Sequence, residues 1–349
     1  MLRTSLWNSL SLTPECWWRD NATTTLSLSL SRQLLFFMNK QIKAKKSLGQ
    51  NFLIDPEALS DIASSFDMTG KHIIEVGPGY GALTEYIISH HPQTLDLVEL
   101  DEDMVAILEG VYWLSQAQSD ATTITLHHQD ILTFIPNYEE YSVIANIPYY
   151  ITSPILFHFL YPETLFAKRD GTKWQGDLVS ENAGSNLPPP RSAPPVEMKF
   201  TSPQEMTIMM QEEVGEKILA GQRKKPHHSY LSLAMELACE SIEIVRSVGR
   251  ESFDPVPNVD SIVLQFTVKS GRNRQTEERL LALWRIAFTH PRKTLLSNLR
   301  WSHYDIEWVK LWLRECGYDE KIRAEAVGMG EWGKLLSICI PLFIMDPFL

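Results

Sequence analysis

An α/β fold with a doubly wound parallel sheet, followed by a small all-helical C-terminal region, is what three observations in this sequence predict. Apolar runs short enough for buried strands alternate with helical periodicity from His72 to Asn146. A glycine-rich turn, "EVGPGYG" at 75–81, closes the first of these strands and opens a helix. From about Gly271 onward the pattern is wholly helical. With 349 residues, 44% of them hydrophobic, the chain can bury a full core, and its length fits two domains or one with appendages.

Taken in order, residues 1–37 are rich in Ser, Thr and Leu and include the near-repetitive "TTTLSLSLS". They read as a disordered extension, or as sequence ahead of a true start at Met38, with a faint likeness to a transit peptide. In "IKAKKSLGQNFLIDPEALSDIASSF" a basic segment leads into a helix, with Asp55 as N-cap, Pro56 at the first helical position, and Leu59, Ile62 and Ala63 at helical spacing. "KHIIEVGPGYGALTEYIIS" gives a strand, the glycine turn and a helix; "TLDLVELD" gives a second strand and "MVAILEGVYWL" its helix. "TITLHHQD" and "YSVIAN" are the third and fourth strands. Gly, Pro, Ser and mixed charges then deny a core to about 162–202, which reads as a disordered insertion. Beyond it, "EMTIMMQEEVGEKIL" is a strand and a helix, "HHSYLSLAMELAC" a helix, and "SIEIVRSVG" and "SIVLQFTV" are strands flanking "FDPVPNVD". The expected domains are therefore 38–270 and 271–349.

The bulk chemistry excludes several classes. Cys16, Cys239, Cys316 and Cys339 lie far apart with no CxxC pair, so no metal site or local disulfide framework is expected. A net charge of −11 argues against indiscriminate polyanion binding and confines any nucleic-acid contact to local basic patches. The apolar runs at Leu34–Phe37 and Leu335–Met345 are too short to span a bilayer, so no membrane association is expected.

The chemistry gathers at strand ends. Gly77, Gly79 and Gly81 let backbone approach a ligand at a helix N-terminus. A glycine turn alone is a weak signal; it gains weight because Glu99 ends the next strand, where an acid can bind a ribose diol, and Asp130 follows the third. No GK[ST] follows the glycines, so a P-loop is excluded. Glycines beside acids suit a nucleoside cofactor without pyrophosphate; S-adenosyl-L-methionine fits, with NAD as the alternative.

The fourth strand stops at Asn146-Ile147-Pro148-Tyr149. The exocyclic N6 of adenine is a poor nucleophile, because its lone pair is delocalised into the ring. Asn146 can aim its side-chain carbonyl at one N–H while the backbone carbonyl of Ile147 accepts the other. Pro148 fixes the turn without a competing N–H, and Tyr149 offers a face for an extruded base. Tyr150 has no part in that logic and is expected to pack against a loop.

Together these residues resemble the ribosomal RNA adenine N6,N6-dimethyltransferase family, most closely its small-subunit branch. The resemblance runs from about Lys46 to Arg323 and includes "SLGQNFLID", "EVGPGYGALT", "VELDEDM", "NIPYYITSPILFHF", "MMQEEVGEKI", "FDPVPNVDS" and "AFTHPRKTLLSNL". It implies a Rossmann-like class I methyltransferase fold and S-adenosyl-L-methionine as cofactor. Cofactor-binding roles follow for Asn51, Leu53, Gly77, Gly79, Glu99, Asp130 and Asn146, and Phe253 is implied on the other face of the target base or, equally, in the core. The implied partner is small-subunit rRNA in an assembling subunit, met by a monomer in the cytoplasm, or alternatively in a mitochondrion. Basic clusters at Arg223, Lys224 and Lys225, at Lys43, Lys45 and Lys46, and at Arg285, Arg292, Lys293 and Arg300 are the expected RNA grips. Pro291 stands where the family commonly has another basic residue. Two rivals are a large-subunit resistance methylase, which shares the catalytic motifs, and an assembly or transcription factor whose catalysis is lost.

Overall fold

The computed structural model describes residues 45, 49–116, 122–162, 201–222, 227–300 and 304–343. The expected N-terminal extension, the body of the insertion, the Arg223–Lys224–Lys225 cluster, Lys43 and Lys46 lie outside the described residues.

Helix α1 (Pro56–Ala63) starts where Asp55 accepts from the amides of Glu57 and Ala58, and Pro56 occupies its first turn. After it come β2 (His72–Val76), α2 (Ala82–Ile88), β3 (Thr94–Glu99), α3 (Glu102–Gln116), β4 (Thr123–His128), β5 (Ser142–Asn146), α4 (Thr152–Leu160) and β6 (Glu205–Gln211). Strands β4, β3, β2, β5 and β6 lie side by side in that order, all parallel. After α5 (Glu212–Leu219) and α6 (Tyr230–Ala238) the sheet changes character. Strand β9 (Ser261–Val268) inserts between β6 and β7 (Cys239–Val248) and runs antiparallel to both. The expected all-parallel sheet is thus a mixed one. The link from β7 to β9 carries a single 3-10 turn and the two-residue β8 (Phe253–Asp254), with no crossover helix to turn the chain for a parallel return. Strand β8 pairs antiparallel with β1 (Phe52–Leu53) in a separate two-stranded ladder.

Alternation along the strands separates two core layers. Ile73, Leu95, Leu97, Ile144 and Met209 pack with Leu59 and Ile62 of α1 and Leu83 and Ile87 of α2. Their neighbours Ile74, Val143, Ala145, Ile208 and Met210 face the other way, onto Ile155, Leu156 and Phe159 of α4 and Leu233 of α6. Helices on both faces are what a parallel sheet requires, since both faces must be covered. From Arg274 the described elements are helical: α7 (Arg274–Ala287), α8 (Leu295–Leu299), α9 (Ile306–Glu315) and α10 (Met329–Phe343). Trp332 lies at their centre, its ring centroid 6.4 Å from that of Trp284 and 6.3 Å from that of Trp312.

At the junction with α7, Arg272 and Glu277 form a buried ion pair at 2.7 Å. Arg272 also donates to the carbonyl of Leu160, and Ser202 Oγ donates to the same carbonyl. The two ends of the inserted segment are thereby tied to one another and to the start of the helical region.

Candidate active site

Parallel register decides where the site can form. Val76 lies opposite Val98 and Ala145, Glu99 opposite His128, and Asn146 opposite Met209, so the C-terminal ends of neighbouring strands reach one edge. A cleft with about 1070 Å³ of empty space, including the part open to solvent, lies along that edge. Gly77, Gly79, Glu99, Asp130 and Asn146 line it, as do Asn51 and Leu53 from the opposite wall. Ile147, Pro148, Tyr149 and Phe253 complete the end nearest β5.

The glycine turn is held open by its backbone. Gly77 and Gly79 have φ of 65° and 58°, a region strained for residues with a Cβ. A Cβ on Gly79 would also stand 3.1 Å from the ring of Phe52, which packs against Tyr80 at 4.8 Å between centroids. The segment carrying Asn51 to Leu53 therefore closes onto the turn. Glu99 braces the turn from below: the Gly79 amide donates to one carboxylate oxygen at 3.0 Å, and the amides of Leu100 and Asp101 donate to the other at 2.8 Å. Burial raises its pKa, against the pull of those three amides. Asp130 caps a 3-10 turn by accepting from the Leu132 amide at 2.9 Å.

Glu75, Gln50 and Asp101 had no role in the sequence reading. Glu75 is buried beneath the glycines and accepts from Thr84 Oγ1 at 2.7 Å. The motif displays it as the acid ahead of the glycines, but its burial depends on the strands either side. Asp101, with a side chain only 1% exposed, accepts from Lys45 Nζ at 2.5 Å and from Gln50 Nε2 at 2.8 Å. Burial works to raise the Asp101 carboxyl, yet those two donors hold it below the usual range. Lys45 thus belongs to a latch beside the cleft, with Asp103 as its second partner at 2.6 Å, rather than to a free basic patch.

At the acceptor end, Tyr149 and Ile151 bound a 3-10 turn that follows Pro148. The carbonyl of Pro148 is taken by the Ile151 amide and that of Tyr149 by Thr152 Oγ1, each at 3.1 Å. The Asn146 carboxamide and the Ile147 carbonyl have no hydrogen-bond partner among the described residues, and both residues border the cleft. Phe253 is 2% exposed and belongs to the core, while still contributing to the wall. Tyr150 is exposed at the mouth of the cleft, which it helps to line, with its ring beside Gly49. Arg285, Arg292, Lys293 and Arg300 lie outside the cleft and are exposed on the helical region.

No Lys, Arg or His stands among the described residues lining the cleft, whereas Glu99 and Asp130 do. That set fits a cationic sulfonium nucleoside, whose charge meets carboxylates and no lining cation.

Comparison with known proteins agrees. A sequence model of the family described as Ribosomal RNA adenine dimethylase matches residues 41–311. The Ribosomal RNA small subunit methyltransferase A of Mycoplasmopsis pulmonis is 29% identical over 286 residues, covering 82% of this chain and 95% of its own. That of Clostridium botulinum is 30% identical over 308 residues, covering 86% and 95%. Among solved structures, the 23S rRNA methyltransferase ErmE superposes with a TM-score of 0.57 at 21% identity, covering 83% of this chain and 100% of its own. A dimethyladenosine transferase from Plasmodium falciparum gives 0.57 at 20%, covering 81% and 95%, and both show the shared α/β methyltransferase fold. The protein is a methyltransferase that uses S-adenosyl-L-methionine, and it belongs to the ribosomal RNA adenine dimethylase family.

Proposed function

We propose that this enzyme dimethylates N6 of two adjacent adenines in a hairpin near the 3′ end of small-subunit rRNA, during subunit assembly. One observation carries the reading. At the end of β5 two carbonyl acceptors, the Asn146 side chain and the Ile147 backbone, are left without partners among the described residues beside the cofactor edge, next to the ring of Tyr149. Those acceptors suit the two N–H bonds of an adenine amine and would draw its lone pair out of conjugation. Once bound, the cofactor supplies an electrophilic methyl group on sulfonium. The chain's own part is to hold the amine, exclude water and give the base a face to stack on. No strong base is required, because a methylated ammonium is acidic enough to lose its proton to water. The roles of Asn51, Leu53, Gly77, Gly79, Glu99 and Asp130 in holding the cofactor belong to the same proposal, supported by their place on one cleft. The small-subunit choice is supported by the names of the relatives.

Asn146→Ala should lower methyl transfer by about 10²–10³-fold, as removal of a transition-state hydrogen-bonding partner does, with RNA binding retained. Unchanged turnover would sink the mechanism. The substrate is tested by labelling assembly-stage small subunits with radioactive methyl donor and mapping the modified bases. Incorporation into isolated large-subunit RNA, with none into small subunits, would reverse the assignment.

A further inference from the structure

The Tyr149 side chain is anchored by a residue outside the cleft. Its hydroxyl lies 2.8 Å from Ser261 Oγ. Ser261 is fully buried as the first residue of β9, paired with Gln211 of β6 on one side and Val248 of β7 on the other. It has two strands to hold it and no part in the lining of the cleft. The residue before it, Asp260, closes the intervening loop by accepting from Arg250 Nε at 2.9 Å and Nη2 at 3.1 Å, while Arg250 Nη1 donates to the Asn258 carbonyl at 2.9 Å. That loop also carries Phe253, the second aromatic wall of the site.

A ring that serves as a stacking surface must have both side-chain torsions fixed, and a hydrogen bond at its far end fixes both at once. We propose that Ser261 is a positioning residue that sets the face Tyr149 presents to the acceptor base, so that the antiparallel end of the sheet orients both aromatic walls. This rests on the reading of Tyr149 as the stacking face. Phenylalanine at 149 would keep the stacking surface and lose the anchor, and alanine at 261 would do the same from the other side.

The test is a double-mutant cycle, Ser261→Ala, Tyr149→Phe and both together, read as the single-turnover methyl-transfer rate at saturating cofactor and RNA, with cofactor affinity measured alongside. Each single variant should lose about tenfold in rate, the scale of one hydrogen bond, with cofactor affinity unchanged. The double variant should lose no more than either single one, because both remove the same bond. A wild-type rate in Ser261→Ala, or losses that multiply in the double variant, would overturn the proposal. Where Ser261→Ala fails to fold, Tyr149→Phe must show the loss alone, and a wild-type rate there overturns it too. A wild-type enzyme that methylates only large-subunit RNA would overturn the substrate assignment while leaving the cycle measurable on that RNA, so the two failures separate.

Discussion

Glu75 shows how one buried side chain couples the site to pH. Burial pushes its carboxyl up to about 8; the Thr84 hydrogen bond opposes the rise and the neighbouring Glu99 carboxylate adds to it. In the unfolded chain the group ionises near its ordinary value of 4.5. Between those two values the folded protein holds more protons than the unfolded one, so stability falls as pH rises. The contribution is complete below about 4.5 and is lost as pH climbs through about 8. Glutamine at this position has no proton to lose and can still accept from Thr84. Urea unfolding from pH 5 to pH 8 should therefore show the wild type losing on the order of 3 kcal/mol more than Glu75→Gln. Glu99, whose pKa is also raised by burial, titrates in both proteins, so the difference reports Glu75 together with its coupling to Glu99. Equal slopes would mean that Glu75 stays ionised in the folded state.

At the level of elements, Lys45 and Gln50, which lead into the wall carrying Asn51, are both tied to Asp101. Lys45 Nζ and Gln50 Nε2 both donate to its carboxylate, and the Lys45 amide donates to Gln50 Oε1 at 2.9 Å. Asp101→Ala should leave Gln50 Nε2 without its acceptor and Lys45 with Asp103 alone, and so loosen the wall that carries Asn51. The expected result is about tenfold weaker cofactor binding by calorimetry, with turnover recovered at saturating cofactor. Lys45→Ala should cost far less, because its side chain is 40% exposed and solvent screens the pair. Equal effects would place the latch in the ion pair rather than in Asp101. Elements of this kind separate what the sequence displays from what it hides. The glycine turn, Glu99 and Asn146 could be read directly, because each is a local interruption of an apolar run at a strand end. The latch joins residues 51 and 56 positions apart, and the Tyr149–Ser261 bond spans 112. No periodicity carries such pairings. Strand order is hidden for the same reason: β9 reads as a strand from its alternation, yet nothing local says that it enters between β6 and β7. The half-exposed pattern of β7 was the available sign of an edge strand with one face to water.

Across the whole molecule, charge is arranged against its average. A chain of net −11 repels RNA at long range, so its grip must come from a few places where cations face solvent without acidic partners. Many of the described cations are already committed: Arg246 to Asp61, Arg250 to Asp260, Arg272 to Glu277 and Arg314 to Glu320. Arg292 and Lys293 are not, for both are exposed between α7 and α8 and neither forms an ion pair among the described residues. Helix α7, which leads into them, is fixed from behind by the packing of Trp284 on Trp332 and by the buried Arg272–Glu277 pair. Such a platform can place charge against a folded RNA, which is recognised by its shape and phosphates. Replacing Arg292 and Lys293 together by glutamine should weaken RNA binding at low salt. It should also reduce the slope of log affinity against log salt by about one unit for each phosphate that the variant no longer neutralises. Fluorescence anisotropy of a labelled hairpin across a potassium chloride series measures both. Turnover at saturating RNA should stay at the wild-type level, because the cleft and its acceptor carbonyls lie elsewhere. A salt slope that does not change would show that these two side chains face away from the RNA, and would shift the search for its grip to Arg285 and Arg300.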